Sequence, residues 1–297
     1  MGSGCIDFFN PPLEQIREGM VPQIFAKFQF GLGVGLPAIA GPIRRCAARH
    51  YPTIDETRRE AFTIAPWGAL IPGPTTRPVT VMKLINSFGP NPRLVRMFMA
   101  EKGIELPTEE LDLLAGENRK PPYTDKNPGG QMPALQLDDG TVIAETAAIC
   151  EYLEETQPSP ALIGSNARER AIGRMWQRRV ELNITENIYN GFRYAEGLGL
   201  FKDRMYCIPE AAAGLKAKGK NQLAWLDGLM SGRDFVGGNR IGLADITLYC
   251  CLDFAKGVGQ PIPAELKNIN AWFQRMDQRP SAQQSLFPGW EQVGMRG

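Results

Sequence analysis

A carboxylate and a hydroxyl stand side by side where a helix is predicted to begin. Glu145 and Thr146 open an apolar helical pattern that runs to Glu155. The first turn of a helix has unpaired N–H groups and a partial positive charge, so it can bind a carboxylate. The Thr146 hydroxyl adds a donor, and the Glu145 carboxylate can accept from an ammonium group. The pair therefore predicts a site for a zwitterionic ligand, with an ordinary helix cap as the alternative.

The histidine and cysteine content excludes several other chemistries. His50 is the single histidine, and no motif surrounds it, whereas Ser-His-Asp and Cys-His centres and the common zinc sites need imidazole. The six cysteines show no CxxC spacing, and Cys250 and Cys251 lie within an apolar run. We therefore expect no metal site, and buried thiols in a reducing, cytoplasmic location rather than a disulfide framework.

The overall composition is that of a globular protein. The chain has 297 residues, of which 43% are hydrophobic and 22% charged, which is enough for one large or two ordinary domains. Its 33 basic and 32 acidic side chains give a net charge of +1, so no strong overall field attracts nucleic acid or anionic lipid. No apolar stretch reaches the roughly 18 to 20 residues that a membrane span needs. We predict a small-molecule or protein partner, no nucleic acid and no membrane span.

The first 81 residues differ in composition from the rest. They hold ten of the 24 prolines and nine of the 32 glycines, residues that interrupt helices and strands. Short helices are predicted at 13–17, 24–30 and 54–62, and a proline-spaced extended tail at 67–79. Two interpretations stay open for this extension of uncertain structure: a functional arm that binds a partner or a membrane surface, and a start codon assigned upstream of Met82.

From residue 82 onward, the hydrophobic pattern predicts two regions. Strands are predicted at 83–87, 109–113, 134–137 and 141–144, with helices at 92–102 and 146–155, so the order is βαβ, an irregular connection, and ββα. After Pro158 and Pro160 only helical patterns follow, at 167–194, 209–230, 243–255 and 264–279. The prediction is therefore an α/β domain over 82–157 and an all-helical domain over 166–290.

Two short motifs carry a resemblance to a known family. Residues 130–135 read GQMPAL, and residues 142–149 read VIAETAAI. This arrangement resembles the soluble glutathione transferases of the bacterial type, and the resemblance covers residues 82 to about 288. It implies a thioredoxin-like glutathione-binding domain, glutathione as co-substrate, a small hydrophobic electrophile as the second substrate, a role in detoxification, and a homodimer.

The resemblance also assigns binding residues. In the family, the proline of the first motif is cis, and the main chain of the residue before it pairs with the cysteinyl part of glutathione, which points to Gln131, Met132 and Pro133. Glu145 and Thr146 match the acidic and hydroxyl pair that binds the γ-glutamyl end. A cis proline is a specific device that exposes a strand edge.

The residue that activates the thiol departs from the commonest patterns of the family. The matching stretch, residues 87–93, reads SFGPNPR and contains neither tyrosine nor cysteine. Asn91 is the first candidate: it stands where the beta-like class has cysteine and resembles the asparagine of a nu-like class, and its amide can donate to a thiolate near a helix start. The alternative is that Asn91 only caps the helix before Pro92. Ser87 is the second candidate for the sulfur contact, and its alternative role is a hydrogen bond to the local main chain. For Arg93, the two alternatives are a contact with a glutathione carboxylate and exposure to solvent.

The helical domain is expected to supply the pocket for the electrophile. Tyr189, Asn190, Arg193 and Tyr194 end its first predicted helix, although an aromatic stripe at helical spacing is also typical of a core. In a second family marker, residues 240–246, Asp245 is predicted to support folding, with Gly242 in place of the usual Ser or Thr cap.

The prediction is therefore a glutathione transferase that activates the thiolate for attack on the electrophile. Two alternatives remain open. One is glutathione-dependent disulfide reduction, which Asn91 suggests. The other is a non-catalytic binding protein with the same fold.

Overall fold

The computed structural model describes residues 81–293 and Arg296. The helices and the extended tail predicted before residue 81 lie outside the described residues, as do Cys5, Cys46 and His50.

A four-stranded mixed sheet occupies the first part of the described chain. Its strands are β1 (Lys83–Asn86), β2 (Thr108–Glu110), β3 (Ala134–Gln136) and β4 (Val142–Ala144), in the order β2-β1-β3-β4. β1 is parallel to β2 and antiparallel to β3, which is antiparallel to β4. Helix α1 (Pro90–Lys102) connects the parallel pair, the short α2 (Tyr123–Lys126) lies in the long connection, and α3 (Thr146–Thr156) follows β4. This is the predicted βαβ-ββα order.

Helix α1 begins earlier than predicted. It starts at Pro90, and its N-cap is Gly89, whose φ of 128° is a conformation that glycine adopts readily. Proline suits the first turn because its φ is already helical and its missing N–H would have no helical partner. Asn91 is therefore inside the first turn, and the predicted N-cap role is wrong. The predicted end is correct: Gly103 is left-handed, with φ 65°, and its N–H bonds Ala100 O at 3.2 Å.

Within residues 157–293, the regular secondary structure after α3 is helical. The helices are α4 (Ala167–Val180), α5 (Glu186–Arg193), α6 (Leu198–Phe201), α7 (Ala212–Leu229), α8 (Leu243–Gly257), α9 (Lys267–Asp277), α10 (Pro280–Gln284) and α11 (Trp290–Val293). A π turn at Glu181–Thr185 separates α4 from α5, where one continuous helix is predicted. Side-chain amides donate hydrogen bonds to main-chain carbonyls around this turn. Asn183 donates to Arg179 O (3.0 Å), and Asn187 donates to Asn183 O (2.7 Å).

Helix α8 lies at the centre of the hydrophobic core that it shares with α1 and α4. Every residue from Leu243 to Ala255 is buried, and the helix contacts both α1 and α4. The thiols of Cys250 and Cys251 are fully buried and free, as predicted from their apolar run. Burial raises the pKa of Cys250 to about 11, so this thiol stays protonated and acts as a small apolar side chain.

The start of α8 explains why the chain has glycine at position 242. A Cβ there would lie 3.0 Å from Leu162 O, whereas the Leu243 N–H bonds the same oxygen at 3.0 Å. Asp245 supplies the other half of the cap by accepting from the Gly242 N–H at 2.9 Å. Its second oxygen accepts from the Val236 N–H at 2.8 Å and from Trp272 Nε1 at 2.9 Å. Asp245 thus joins three segments of the core, which agrees with the predicted folding role.

Candidate functional site

The sheet brings three separate chain segments to one edge. In the ladder, Ile85 pairs with Ala134, and Ala134 pairs with Ala144. Because both pairs are antiparallel, the end of β1, the start of β3 and the end of β4 lie at the same edge. Residues 87–93, 131–133 and 145–146, which the motifs single out, therefore share this edge, and we call it the sheet-edge site.

At the start of β3, main-chain groups are left open. The Met132–Pro133 peptide bond is cis. The preceding carbonyl, Gln131 O, accepts from the Tyr123 hydroxyl and from Asn127 Nδ2 at 2.9 Å. Within the described residues, the N–H and C=O of Met132 have no hydrogen-bond partner. A strand edge held in place with an unpaired donor and acceptor can bind an extended peptide-like ligand.

The start of α3 presents a second set of open groups. The first helical bond runs from the Ile149 N–H to Glu145 O at 3.0 Å, so the amides of the three residues before Ile149 have no helical partner. Glu145 is exposed, and its φ of 69° is the sole positive value among the described non-glycine residues. Thr146 is half-buried and begins the helix. This geometry leaves a hydroxyl, a carboxylate and free amides for a zwitterionic group.

The start of α1 provides a third donor. Pro90 and Pro92 have no N–H, and the Arg93 N–H bonds Gly89 O at 3.1 Å. Asn91 is therefore the one residue among the first three of this helix with a main-chain N–H. Its half-buried side chain has no hydrogen-bond partner within the described part of the chain. Both donors of Asn91 stand at the positive end of the helix.

Ser87 is bound to the main chain instead. Its side chain is buried, and the hydroxyl donates to Leu111 O at 2.8 Å. Its own carbonyl accepts from Arg96 Nη1 at 3.0 Å, and the same nitrogen donates to Asn86 Oδ1 at 2.8 Å. These contacts match the predicted alternative of a local main-chain partner, and they fix the turn between β1 and α1.

Arg93 lies in neither of the two predicted environments. Its side chain is fully buried, and Nη1 contacts Asp253 Oδ2 of α8 at 2.5 Å. Nη2 donates to Ala282 O at 3.2 Å. The expectation that Arg93 reaches glutathione or solvent is therefore wrong, because α8 packs against this side of α1 and provides a buried carboxylate.

The predicted pocket residues of the helical part divide into two groups. Tyr189 belongs to the core, because it is 6% exposed and packs edge-on against Phe254 with ring centroids 5.8 Å apart. Asn190, Arg193 and Tyr194 are half-buried at the end of α5. Arg193 covers the rings of Tyr189 and Phe201, and its Nη1 donates to Asn190 Oδ1 at 3.0 Å.

Arg119 is a residue that the sequence analysis missed. It lies beside the sheet-edge site, since its Nη1 donates to Gly129 O at 3.2 Å and a Cβ on Gly130 would lie 3.1 Å from its Cδ. Its Nε is buried without a hydrogen-bond partner in the described residues. The surrounding sequence, ENRK, is charged and has the pattern of a solvated loop, so composition gave no signal.

Two further properties concern only the described residues. No cluster of three or more His, Cys, Asp or Glu side chains there is arranged to hold a metal ion. None of the helices at 81–293 is both long enough and apolar enough to cross a membrane.

Comparison with known proteins matches this arrangement to one family. Residues 88–156 match the family model "Glutathione S-transferase, N-terminal domain", and residues 209–275 match "Glutathione S-transferase, C-terminal domain". Glutathione S-transferase 2 of Saccharomyces cerevisiae is 34% identical over 201 residues, which cover 67% of this chain and 86% of that protein.

Solved structures show the same similarity. The crystal structure of Gtt2 from Saccharomyces cerevisiae has 32% sequence identity and a TM-score of 0.64, with 69% of this chain and all (100%) of that chain covered. A glutathione S-transferase domain-containing protein of Marinobacter aquaeolei has 34% identity and a TM-score of 0.64, with 67% and 98% covered.

A thioredoxin-like sheet followed by a helical region is thus shared with these solved structures. The chain belongs to the glutathione S-transferase family. The predicted fold class and the predicted enzyme class, a glutathione S-transferase, are confirmed.

Proposed function

We propose that the protein binds glutathione along the sheet-edge site and activates its thiolate for attack on a small hydrophobic electrophile. The observation that carries this proposal is the convergence of three open polar sets, at Met132, at Glu145–Thr146 and at Asn91, on one edge. Together they match the chemical groups of a tripeptide: its zwitterionic end, its central main chain and its thiol.

Each set has a distinct role in this proposal. Thr146 and the α3 amides bind the γ-glutamyl carboxylate, and Glu145 accepts from its ammonium group. Met132 N–H and C=O pair with the cysteinyl main chain, next to Pro133, while Gln131 flanks them. Arg119, whose Nε is unpartnered, receives the glycyl carboxylate. The Met132–Pro133 pair thereby fixes where the sulfur lies relative to α1.

Asn91 is proposed to stabilise the thiolate. Its main-chain N–H and side-chain amide donate to the sulfur, and the positive end of α1 lowers the thiol pKa. The thiol proton passes to water, the sulfur lone pair forms the new bond to carbon, and the leaving group departs with its electron pair. Because Ser87 Oγ is already bonded to Leu111 O, we assign the sulfur contact to Asn91.

The Asn91→Ala variant tests this assignment. We expect a loss of about tenfold or more in kcat with an aromatic halide, with little change in glutathione affinity because the tripeptide's other contacts remain. The readout is steady-state kinetics with an aromatic halide and with a small disulfide, alongside a Ser87→Ala control. Unchanged turnover of both substrates would exclude a sulfur contact by Asn91.

Calorimetric titration with glutathione tests the function itself. One molecule bound per subunit supports thiol transfer to an electrophile. Two per subunit would favour glutathione-dependent disulfide reduction, which needs a second glutathione. No heat at millimolar glutathione would favour a non-catalytic member of the fold. The family matches do not favour either of these two alternatives.

We also propose that the protein is a cytoplasmic homodimer that serves detoxification. Ile172, Met175 and Leu182 project exposed apolar side chains from the α4 region, with exposed fractions of 41%, 40% and 54%. Such a face favours association with another chain. The free, buried thiols of Cys150 and Cys250 agree with a reducing compartment. Sedimentation equilibrium measures the mass, and a monomer at micromolar concentration would contradict the dimer.

A further inference from the structure

Three arginines near the sheet-edge site lack a carboxylate partner. Arg119, Arg193 and Arg204 are half-buried, and none of them forms an ion pair within residues 81–293. Their hydrogen bonds go to neutral acceptors. Arg204 donates to Leu113 O at 2.8 Å and to Leu114 O at 3.2 Å, while Arg119 and Arg193 bond a carbonyl and an amide oxygen.

The three guanidinium groups form one cluster, although they come from three elements. Arg204 follows α6 and reaches the loop that leads into the 3-10 helix Glu117–Arg119; its Nη2 would lie 3.9 Å from a Cβ on Gly116. Arg193 covers Phe201 of α6 with its charged group 5.7 Å from the ring centre. Burial lowers the pKa of Arg119, and the charges of Arg204 and Arg193 lower it further.

Three carboxylates of the surrounding elements accept hydrogen bonds from neutral donors. Asp112 accepts from the Leu114 N–H at 2.8 Å, and Glu117 accepts from the Asp112 N–H at 2.7 Å. On α5, Glu186 accepts from Asn190 Nδ2 at 3.3 Å. Since the arginines form no ion pair with the described residues, their mutual repulsion is relieved when an anion binds between them.

Glutathione alone does not balance this cluster. Its γ-glutamyl carboxylate is placed at α3, so only the glycyl carboxylate reaches the arginines, one negative charge against three positive ones. Resting on the proposed function, we propose that the electrophile is itself an anion: an apolar, ring-bearing molecule whose carboxylate binds between Arg193 and Arg204. The half-buried aromatic ring of Phe201, which lies beside Arg193, offers a surface for its apolar part.

A matched pair of aryl chlorides tests the charge requirement. The pair is 4-chloro-3-nitrobenzoate and its methyl ester. With both, the glutathione sulfur forms a bond to the chlorine-bearing ring carbon, chloride leaves with its electron pair, and the thiol proton passes to water. Each kcat/KM is divided by the uncatalysed rate constant of the same compound. We expect the normalised value for the acid to exceed that for the ester by about tenfold or more.

Variants of the cluster locate the effect. Arg193→Gln and Arg204→Gln are each expected to lower the acid-to-ester ratio by about tenfold, whereas the control Arg233→Gln leaves it unchanged. Arg233 is a suitable control because it also covers an aromatic ring, that of Trp176 at 5.6 Å, but lies outside the cluster. Competition by 3-nitrobenzoate and by its methyl ester on the unsubstituted enzyme needs no variant, and the acid is expected to inhibit more strongly.

The outcomes separate this inference from the proposed function. Turnover of the ester with a ratio near one, or equal inhibition by the two competitors, would overturn the anionic electrophile and leave the transferase function intact. A variant that loses glutathione affinity while keeping the ratio would assign its arginine to glutathione and overturn the inference. No turnover of either chloride together with no calorimetric glutathione binding would overturn both.

Discussion

Helices α3 and α8 both begin with an acidic side chain near their positive end, but the two starts are used in opposite ways. At α8, Asp245 is 1% exposed, and its two oxygens accept three hydrogen bonds. At α3, Glu145 is exposed, has a positive φ and makes no side-chain cap bond. The start of α8, which is saturated with hydrogen bonds, stabilises the core. The start of α3 is open, so its amides and its strained backbone are available to a ligand.

Helix α4 is an intermediate case at the protein surface. Asn166 accepts from the Glu169 N–H at 3.0 Å, and Glu169 accepts in return from the Ser165 N–H at 3.0 Å. This start is closed like that of α8 but exposed like that of α3. The comparison therefore separates two variables, burial and hydrogen-bond saturation, and substitutions can test each one.

The largest expected effect is at the buried, saturated start. Asp245→Ala leaves the N–H groups of Val236 and Gly242 and the Trp272 indole without their acceptor. We expect the free energy of unfolding to fall by about 3 to 5 kcal/mol. Urea unfolding measures this fall, and a loss below about 1 kcal/mol would contradict the folding role.

At the open start, the effect is expected on binding. Thr146→Val keeps the shape of the side chain but removes the hydroxyl donor. The glutathione dissociation constant should rise about tenfold, which corresponds to about 1.4 kcal/mol. Calorimetry gives the affinity, and urea unfolding serves as the control, with an expected change within about 0.5 kcal/mol. Lower stability with unchanged affinity would make Thr146 a cap only.

Glu145→Gly tests the backbone of the same start. Glycine adopts a φ of 69° without the steric cost that glutamate has there. We expect the free energy of unfolding to rise by about 1 kcal/mol, while glutathione binds more weakly because the carboxylate is lost. Glu145→Gln is the matched control, since it removes the charge and keeps the strain. If Glu145→Gly is less stable than the unsubstituted protein, the positive φ is not a source of strain.

The smallest effect is expected at the exposed, closed start of α4. Hydrogen bonds from the Ser165 N–H and hydroxyl and from Arg240 lower the pKa of Glu169 from 4.5 to about 2. Stability from this lowered pKa is fully present above pH 4.5 and is lost as the pH falls toward 2. Glu169→Gln should therefore be slightly less stable at pH 6, and the difference should shrink over that acid range. Thermal unfolding across pH measures it, and a difference independent of pH would exclude the charge as its cause.

Local patterns predicted most of the sheet. Alternation and turn residues placed the strands to within two or three residues, whereas the cis bond before Pro133 was implied by the family resemblance of the GQMPAL motif. The strand positions depend on neighbours in the chain, so sequence spacing predicts them. The end of α1 at Lys102 was predicted for the same reason.

Features that depend on distant partners were not predictable in the same way. Arg93 is buried because Asp253, 160 positions away, lies against α1. Tyr189 has the aromatic spacing of a pocket, yet it faces Phe254 in the core. Arg119 lies beside the sheet-edge site, although the composition of its loop predicts exposure to solvent. In each case, tertiary packing set an environment that the local sequence did not specify.

The π turn between α4 and α5 changes the direction in which the side chains at the end of α5 point. An α-helix advances by about 100° per residue, and a π turn accommodates one more residue than an α-helical turn. The face that carries Arg193 and Tyr194 is therefore rotated relative to the α4 face that carries Ile172 and Met175. One inserted residue thus gives the two consecutive helices surfaces that can change separately, one for the proposed second subunit and one for the proposed substrate.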